Sequence, residues 1–82
     1  MEKKILQIIN KVLENNSRKK IESIDSETNL RDDIGLDSLD LAELTVLIEA
    51  EFDIDIFEDG IIITVGEIFE KLKDNWSYFL KI

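Results

Sequence analysis

The run Asp33-Ile34-Gly35-Leu36-Asp37-Ser38-Leu39-Asp40 sets one hydroxyl among aspartates, at the point where a glycine-bearing loop gives way to a periodic apolar pattern. A serine hydroxyl becomes a strong nucleophile when a base sits beside it. The chain has no histidine and no lysine close to Ser38 in sequence, so Ser38 reads as a recipient of chemistry that another protein performs. With no cysteine either, disulfides, thiolate or imidazole metal sites, and Cys-His or Ser-His catalysis are excluded. Carboxylates remain. An EF-hand loop needs oxygen ligands at its positions 1, 3 and 5, glycine at 6 and glutamate at 12. That spacing fails from Asp53, where the fifth and sixth residues are Phe57 and Glu58, and from Asp33, where the third is Gly35. No dedicated metal site is expected, only adventitious divalent binding. Paired carboxylates acting as a glycosidase-like acid and base need a cleft, and so short a chain offers none that its sequence reveals.

The acids are not spread evenly. Residues 1–31 carry 5 acids and 7 bases, residues 32–70 carry 13 acids and no base, and residues 71–82 carry 1 acid and 3 bases, for a net charge of −9. This balance argues against a nucleic-acid partner, since phosphate backbones are bound by a surplus of Lys and Arg. The acidic block is either a solvated face or a surface that steers a basic partner. No apolar run approaches the ~20 residues that span a bilayer, and the lysine-bearing start lacks the unbroken apolar stretch of a signal peptide. A cytoplasmic protein with no membrane insertion is expected.

Helices must position Ser38. Ile5, Leu6, Ile8, Ile9, Val12 and Leu13 recur at spacings of three and four, which winds them into one stripe of a helix over residues 2–15. Asn15, Asn16 and Ser17 end it, and Arg18, Lys19 and Lys20 suit the negative end of its dipole. Residues 16–36 lack a period, and Ile21, Ile24, Leu30 and Ile34 are expected to turn inward and pin this long loop. Asp37 or Ser38 caps the next helix, 38–52. Leu41, Leu44, Leu47, Ile48 and Phe52 form its core stripe, while Leu39, Ala42, Val46 and Ala50 form a second line fringed by Asp40, Glu43 and Glu49. Between residues 52 and 65, alternating apolar residues, Asp59-Gly60 and several β-branched residues read locally as a β-hairpin. A lone hairpin is marginal and this chain offers it no sheet, so a short irregular or helical turn around 57–62 is expected instead. Thr64 and Glu67 make a capping box for a last helix over 64–76, with Val65, Ile68, Phe69 and Leu72 as its stripe. Trp76, Phe79 and Leu80 continue the same phase, so that helix either runs on or gives way to an apolar flap. The predicted fold class is all-α: one domain, 1–82, built as a small three- to four-helix bundle with a long first loop, a short or irregular third helix and an extra tail at 74–82.

The motif Asp37-Ser38-Leu39-Asp40, with Gly35 before it, Leu41-Ala42-Glu43-Leu44 after it and Glu51-Phe52 at the helix end, resembles the acyl carrier protein family. The likeness extends from about Glu2 to Leu72 and includes the Thr64-Val65-Gly66-Glu67 start of the last helix. It implies a bundle of acyl-carrier type whose Ser38 receives a phosphopantetheine arm from coenzyme A, attached by a separate phosphopantetheinyl transferase. It also implies that the protein is a carrier and not an enzyme. A phosphate on Ser38 would lie near the positive end of a helix dipole, and a cap supplied by Asp37 would leave Ser38 free for modification. The partners implied are that transferase and acyl-transferring and acyl-modifying enzymes with basic docking surfaces. They would meet Leu39, Asp40, Glu43, Val46 and Glu49 of what is expected to be a monomer. The Asp-Ser-Leu-Asp context leans toward fatty-acid or polyketide cargo, with aminoacyl or D-alanyl cargo as the alternative. The chain departs from the family pattern at Leu36, where a small residue is usual, and at Ala50, where an acid is. It is also about two residues shorter between Ile56 and Val65, lacks a proline there, and has a longer tail. A reading from a different class is a small acidic interaction or divalent-ion-binding module that carries no arm.

Overall fold

The computed structural model describes residues 2–56 and 62–81, with side chains through Lys73. Three helices follow in order: α1 (Glu2–Asn15), α2 (Ser38–Phe52) and α3 (Val65–Lys81). The described residues contain no strand and one isolated bridge, Asn29 with Thr64. The all-α expectation therefore holds. The turn expected at 57–62 lies largely outside the described residues. Of the two readings of the tail, the run-on helix is the one observed: the last helix passes the expected bound of 76 and continues without a break to Lys81, with no separate flap over 77–81. With no proline or glycine after Gly66, nothing in the backbone chemistry interrupts it.

The core forms where the stripes meet. Ile5, Ile9, Val12 and Leu13 of α1, Leu44 and Ile48 of α2, and Val65, Ile68 and Leu72 of α3 are buried, together with Ile24, Leu30, Leu36, Ile56 and Ile62 from the connections. Burying each such side chain contributes roughly 1.5–3 kcal/mol. Of the four loop residues expected to pin the first connection, Ile24 and Leu30 are buried while Ile21 and Ile34 pack half-buried against the core. Leu36, the departure just before the Asp-Ser pair, is buried too, and its larger side chain completes the core beneath the start of α2.

Both ends of the long loop are held by specific bonds. α1 closes at Ser17, whose φ of 59° is left-handed, and the Arg18 N–H reaches back to the Leu13 carbonyl at 2.7 Å. Asn10 then brackets Ile21, accepting its N–H at 2.8 Å and donating to its carbonyl at 3.0 Å. Farther on, the loop clasps the start of α3. Leu30 donates to the Ile63 carbonyl, Val65 to Thr28, and Gly66 to Ser26, at 2.9, 3.0 and 2.9 Å. Gly66 is needed there because a Cβ would stand 2.7 Å from the Ser26 carbonyl oxygen. Thr64 and Glu67 form the expected capping box, with reciprocal bonds of 3.3 Å.

Candidate functional site

The start of α2 is built by division of labour between neighbouring residues. Asp37 is the N-cap: its Oδ1 accepts the Asp40 N–H at 2.9 Å, while Asp40 Oδ2 accepts the Asp37 N–H at 3.0 Å. This is a capping box made by two aspartates. Ser38 is thereby the first helical residue, exposed, with its hydroxyl not used by the cap. A different group approaches it. Arg31 Nη2 stands 3.4 Å from Ser38 Oγ, donated from the turn that precedes the helix.

That turn is organised by Asn29. Its Oδ1 accepts the N–H groups of Arg31 and Asp32 at 2.9 and 2.8 Å, and its own N–H donates to Asp33 Oδ2 at 2.7 Å. Gly35, at φ 85°, then reverses the chain into the capping residue. Beside Ser38 opens a cleft of about 600 Å³, lined by Asn29, Arg31, Asp32 and Ser38 at its polar side and by Leu41, Ala42, Ile62 and Ile63 at its apolar side.

Asp40 corrects the sequence reading. It was expected on the acidic docking fringe, yet it is 3% exposed and its Oδ2 also receives Arg18 Nη1 at 2.7 Å. At the third helical position the side chain turns back toward the cap, which carries it inward and onto Arg18. The Asp37-x-x-Asp40 spacing is itself the signal of such a box, with aspartate in place of the more usual glutamate at the third position. Arg18, read from the sequence as a partner for the α1 dipole, instead joins α1's exit to α2's start. Glu43 is half-buried and accepts from Asn15 Nδ2 and Asn16 Nδ2 at 3.4 and 3.2 Å. Leu39, Val46 and Glu49 are exposed, the first two at 80% and 62%. The exposed line expected along α2 is therefore real, but of its acids Asp40 is buried and Glu43 is bonded to α1. The proximity of Arg31 to Ser38 went unread, since their seven-residue separation crosses a loop without a period.

Asp37 titrates below the ordinary aspartate value of 3.8, chiefly because the Asp40 N–H stabilises its ionised form. Desolvation opposes this, and the Asp40 side chain, the Arg18 charge and the Leu39 N–H add to it. A carboxyl whose value is lowered by folding contributes stability that is complete above its unfolded value and is lost as pH falls through the lower, folded one. The first turn of α2 is thus expected to be intact at neutral pH and to loosen in acid below pH 3.8. Amide chemical shifts of Leu39 and Asp40 followed through an acid titration check this. Asp37→Asn, which still caps, should flatten the step in those shifts.

Among the described residues no three carboxylates gather as a metal site. The model of the phosphopantetheine attachment site family matches residues 3–71, which takes in α1, the long loop, α2 and the first part of α3. The chain belongs to this family. It is similar to the acyl carrier protein of Buchnera aphidicola subsp. Schizaphis graminum, 44% identical over 59 residues that cover 72% of this chain and 70% of that one. It is also similar to the acyl carrier protein of Syntrophobacter fumaroxidans, 43% identical over 56 residues covering 66% and 69%. The acyl carrier protein of Rickettsia bellii is 33% identical over 75 residues, covering 89% and 87%. The family resemblance read from the motif at 33–40 is thereby established. Membership makes the chain a carrier and not an enzyme, bearing a covalent phosphopantetheine. The start of α2 fits such a group: an exposed hydroxyl outside the cap, a guanidinium beside it and a cleft leading away.

Proposed function

We propose that Ser38 is the attachment residue and that the chain, a single carrier domain over 1–82 with its helical tail included, carries acyl groups for fatty-acid or polyketide-type synthesis. The observation that carries the assignment is the pairing of Asp37 as cap with Ser38 as an exposed hydroxyl at the first position of α2. In the modification, Ser38 Oγ bonds to the phosphorus of the pantetheine phosphate as the pyrophosphate link of coenzyme A breaks. Adenosine 3′,5′-bisphosphate leaves, and the hydroxyl proton passes to a base on the transferase. Once attached, the arm supplies a terminal thiol that holds acyl groups as thioesters. Leu41, Ala42, Ile62 and Ile63 offer apolar surface next to its root. The test is incubation with coenzyme A and a broad-specificity phosphopantetheinyl transferase, followed by fragment mapping. The expected result is one arm, on the peptide containing Ser38; an arm on any other hydroxyl, or none with several transferases, overturns the reading. The rival acidic module predicts no arm and tight divalent or partner binding without one.

The transferase and the acyl-processing enzymes are read as docking on the exposed line of α2, with the carrier acting as a monomer in the cytoplasm. No helix among the described residues is long and apolar enough to cross a membrane. Leu39 and Val46 are the apolar centre of that line, and Glu49 is its exposed acid. Exposed ion pairs contribute about 0.2–1 kcal/mol each, whereas an apolar contact ringed by charge excludes water from the middle of an interface. Leu39→Ala and Val46→Ala are expected to slow modification by about tenfold, a change of about 1.4 kcal/mol. Glu49→Lys should slow it less, and mainly at low salt. Rates measured across salt concentrations separate the two effects.

A further inference from the structure

We propose that Arg31 binds the phosphodiester on Ser38 and so acts as a positioning residue for the root of the arm. This rests on Ser38 as the attachment residue. Arg31 is the sole base between Lys20 and Lys71 in the sequence. In the fold its guanidinium lies 3.4 Å from the very oxygen that would be modified.

That contact is long for an N–H···O bond, and a neutral hydroxyl rewards it little. The surroundings do not explain the side chain's placement either. Among the described residues Arg31 has no carboxylate at ion-pair distance, although acids lie on both sides of the site. Asp33 and Asp37 are engaged by the backbone N–H groups of Asn29 and Asp40. The cation nearest in kind, Arg18, is committed to the buried Asp40. The backbone of Arg31 is fixed, since its N–H is held by Asn29 Oδ1 and Leu30 beside it is fully buried and bonded to Ile63. The residue is exposed, and its guanidinium lies toward Ser38.

Modification changes what Arg31 meets. The neutral hydroxyl becomes the bridging oxygen of a singly charged phosphodiester, whose free oxygens stand two bonds from Oγ. A planar guanidinium can give such oxygens one or two charge-assisted N–H bonds, which are shorter and stronger than a bond to a hydroxyl. It also brings a positive charge that is in no ion pair among the described residues to a negative group added to an acidic block. The modified form should therefore be more stable than the unmodified form, and the root of the arm should be less free to swing.

The experiment compares unmodified and modified forms of wild type, Arg31→Ala and Arg31→Lys, each confirmed by mass to carry one arm on Ser38. In wild type the unfolding equilibrium constant is expected to fall roughly three- to tenfold on modification. That difference should shrink with added salt, be lost in Arg31→Ala and be partly kept in Arg31→Lys. The ³¹P resonance of the modified protein should shift in Arg31→Ala relative to wild type. An identical stabilisation and an identical ³¹P resonance in Arg31→Ala overturn the proposal while leaving attachment at Ser38 intact. Failure of wild type to take the arm on Ser38 is the separate result that removes both.

Discussion

Ser38→Ala is expected to take up no phosphopantetheine at all while folding as well as the parent chain. The first half follows from chemistry: no other hydroxyl occupies the exposed first position of α2 beside Arg31 and the cleft. The second half follows from the capping arrangement. Were Ser38 the cap, its replacement by alanine would cost about 1 kcal/mol. Asp37 holds that role, Ser38 is exposed, and among the described residues its one side-chain bond is the long contact from Arg31. Alanine is a strong helix former, so the change in stability should stay within about 0.5 kcal/mol. Intact-mass analysis after transferase treatment and a denaturant titration measure the two halves. A mass gain in the variant, or a large loss of stability, would show that the roles of Asp37 and Ser38 have been assigned wrongly.

Asp40→Ala should have the opposite profile, with its largest effect on the fold. The substitution orphans the Asp37 N–H, removes half of the capping box and releases Arg18. Bonds to charged groups are worth about 1.5–3 kcal/mol each, but Arg18 is 38% exposed on its side chain and can turn to water. The expected loss is therefore about 2–3 kcal/mol, against the roughly 4–12 kcal/mol that holds a domain of this size together. Arg18→Ala should cost a similar amount by a different route, because it leaves a carboxylate that is only 4% exposed without its guanidinium. Residues in direct contact are not additive, so the double variant should lose clearly less than the two single losses combined. Denaturant unfolding of the four proteins gives the coupling directly, and a coupling near zero would mean that the pair contributes nothing to the fold.

Much of this was legible in the residues because helices advertise themselves by period. The stripe of α1, the two lines of α2 and the Thr64-Glu67 box each needed only local spacing, and each is present. The alternation from Ile54 onward was legible in another way. Ile56 and Ile62 are buried while Ile63 is 53% exposed, so the pattern reports which residues face the core, although no ladder forms among the described residues. A period of two records burial and leaves the hydrogen-bond partner open. Arg18 with Asp40, and Arg31 with Ser38, escaped because both pairs are joined across a loop whose path no periodicity describes. Their placement depends on Asn10 holding Ile21 and on Asn29 winding its turn, and an asparagine's bonds are fixed only when the chain around it is already folded. Asp40 was misassigned for a related reason, since charge alone suggests the surface and only the cap geometry turns that carboxylate inward.

The clasp between the first loop and the start of α3 also sets an order of events. Its three amides, on Leu30, Val65 and Gly66, join segments that are distant along the chain, and such closures come late because their entropy must be lost before the bonds reward it. Helical turns need no such wait. On the way to the folded state α1 and α2 can wind independently, whereas the apolar side of the cleft at Ile62 and Ile63 is set only when the clasp shuts. Run backwards, the same sequence makes that clasp a natural first line of opening, a partial release that frees the floor beneath Ser38 while the helix bearing it stays wound.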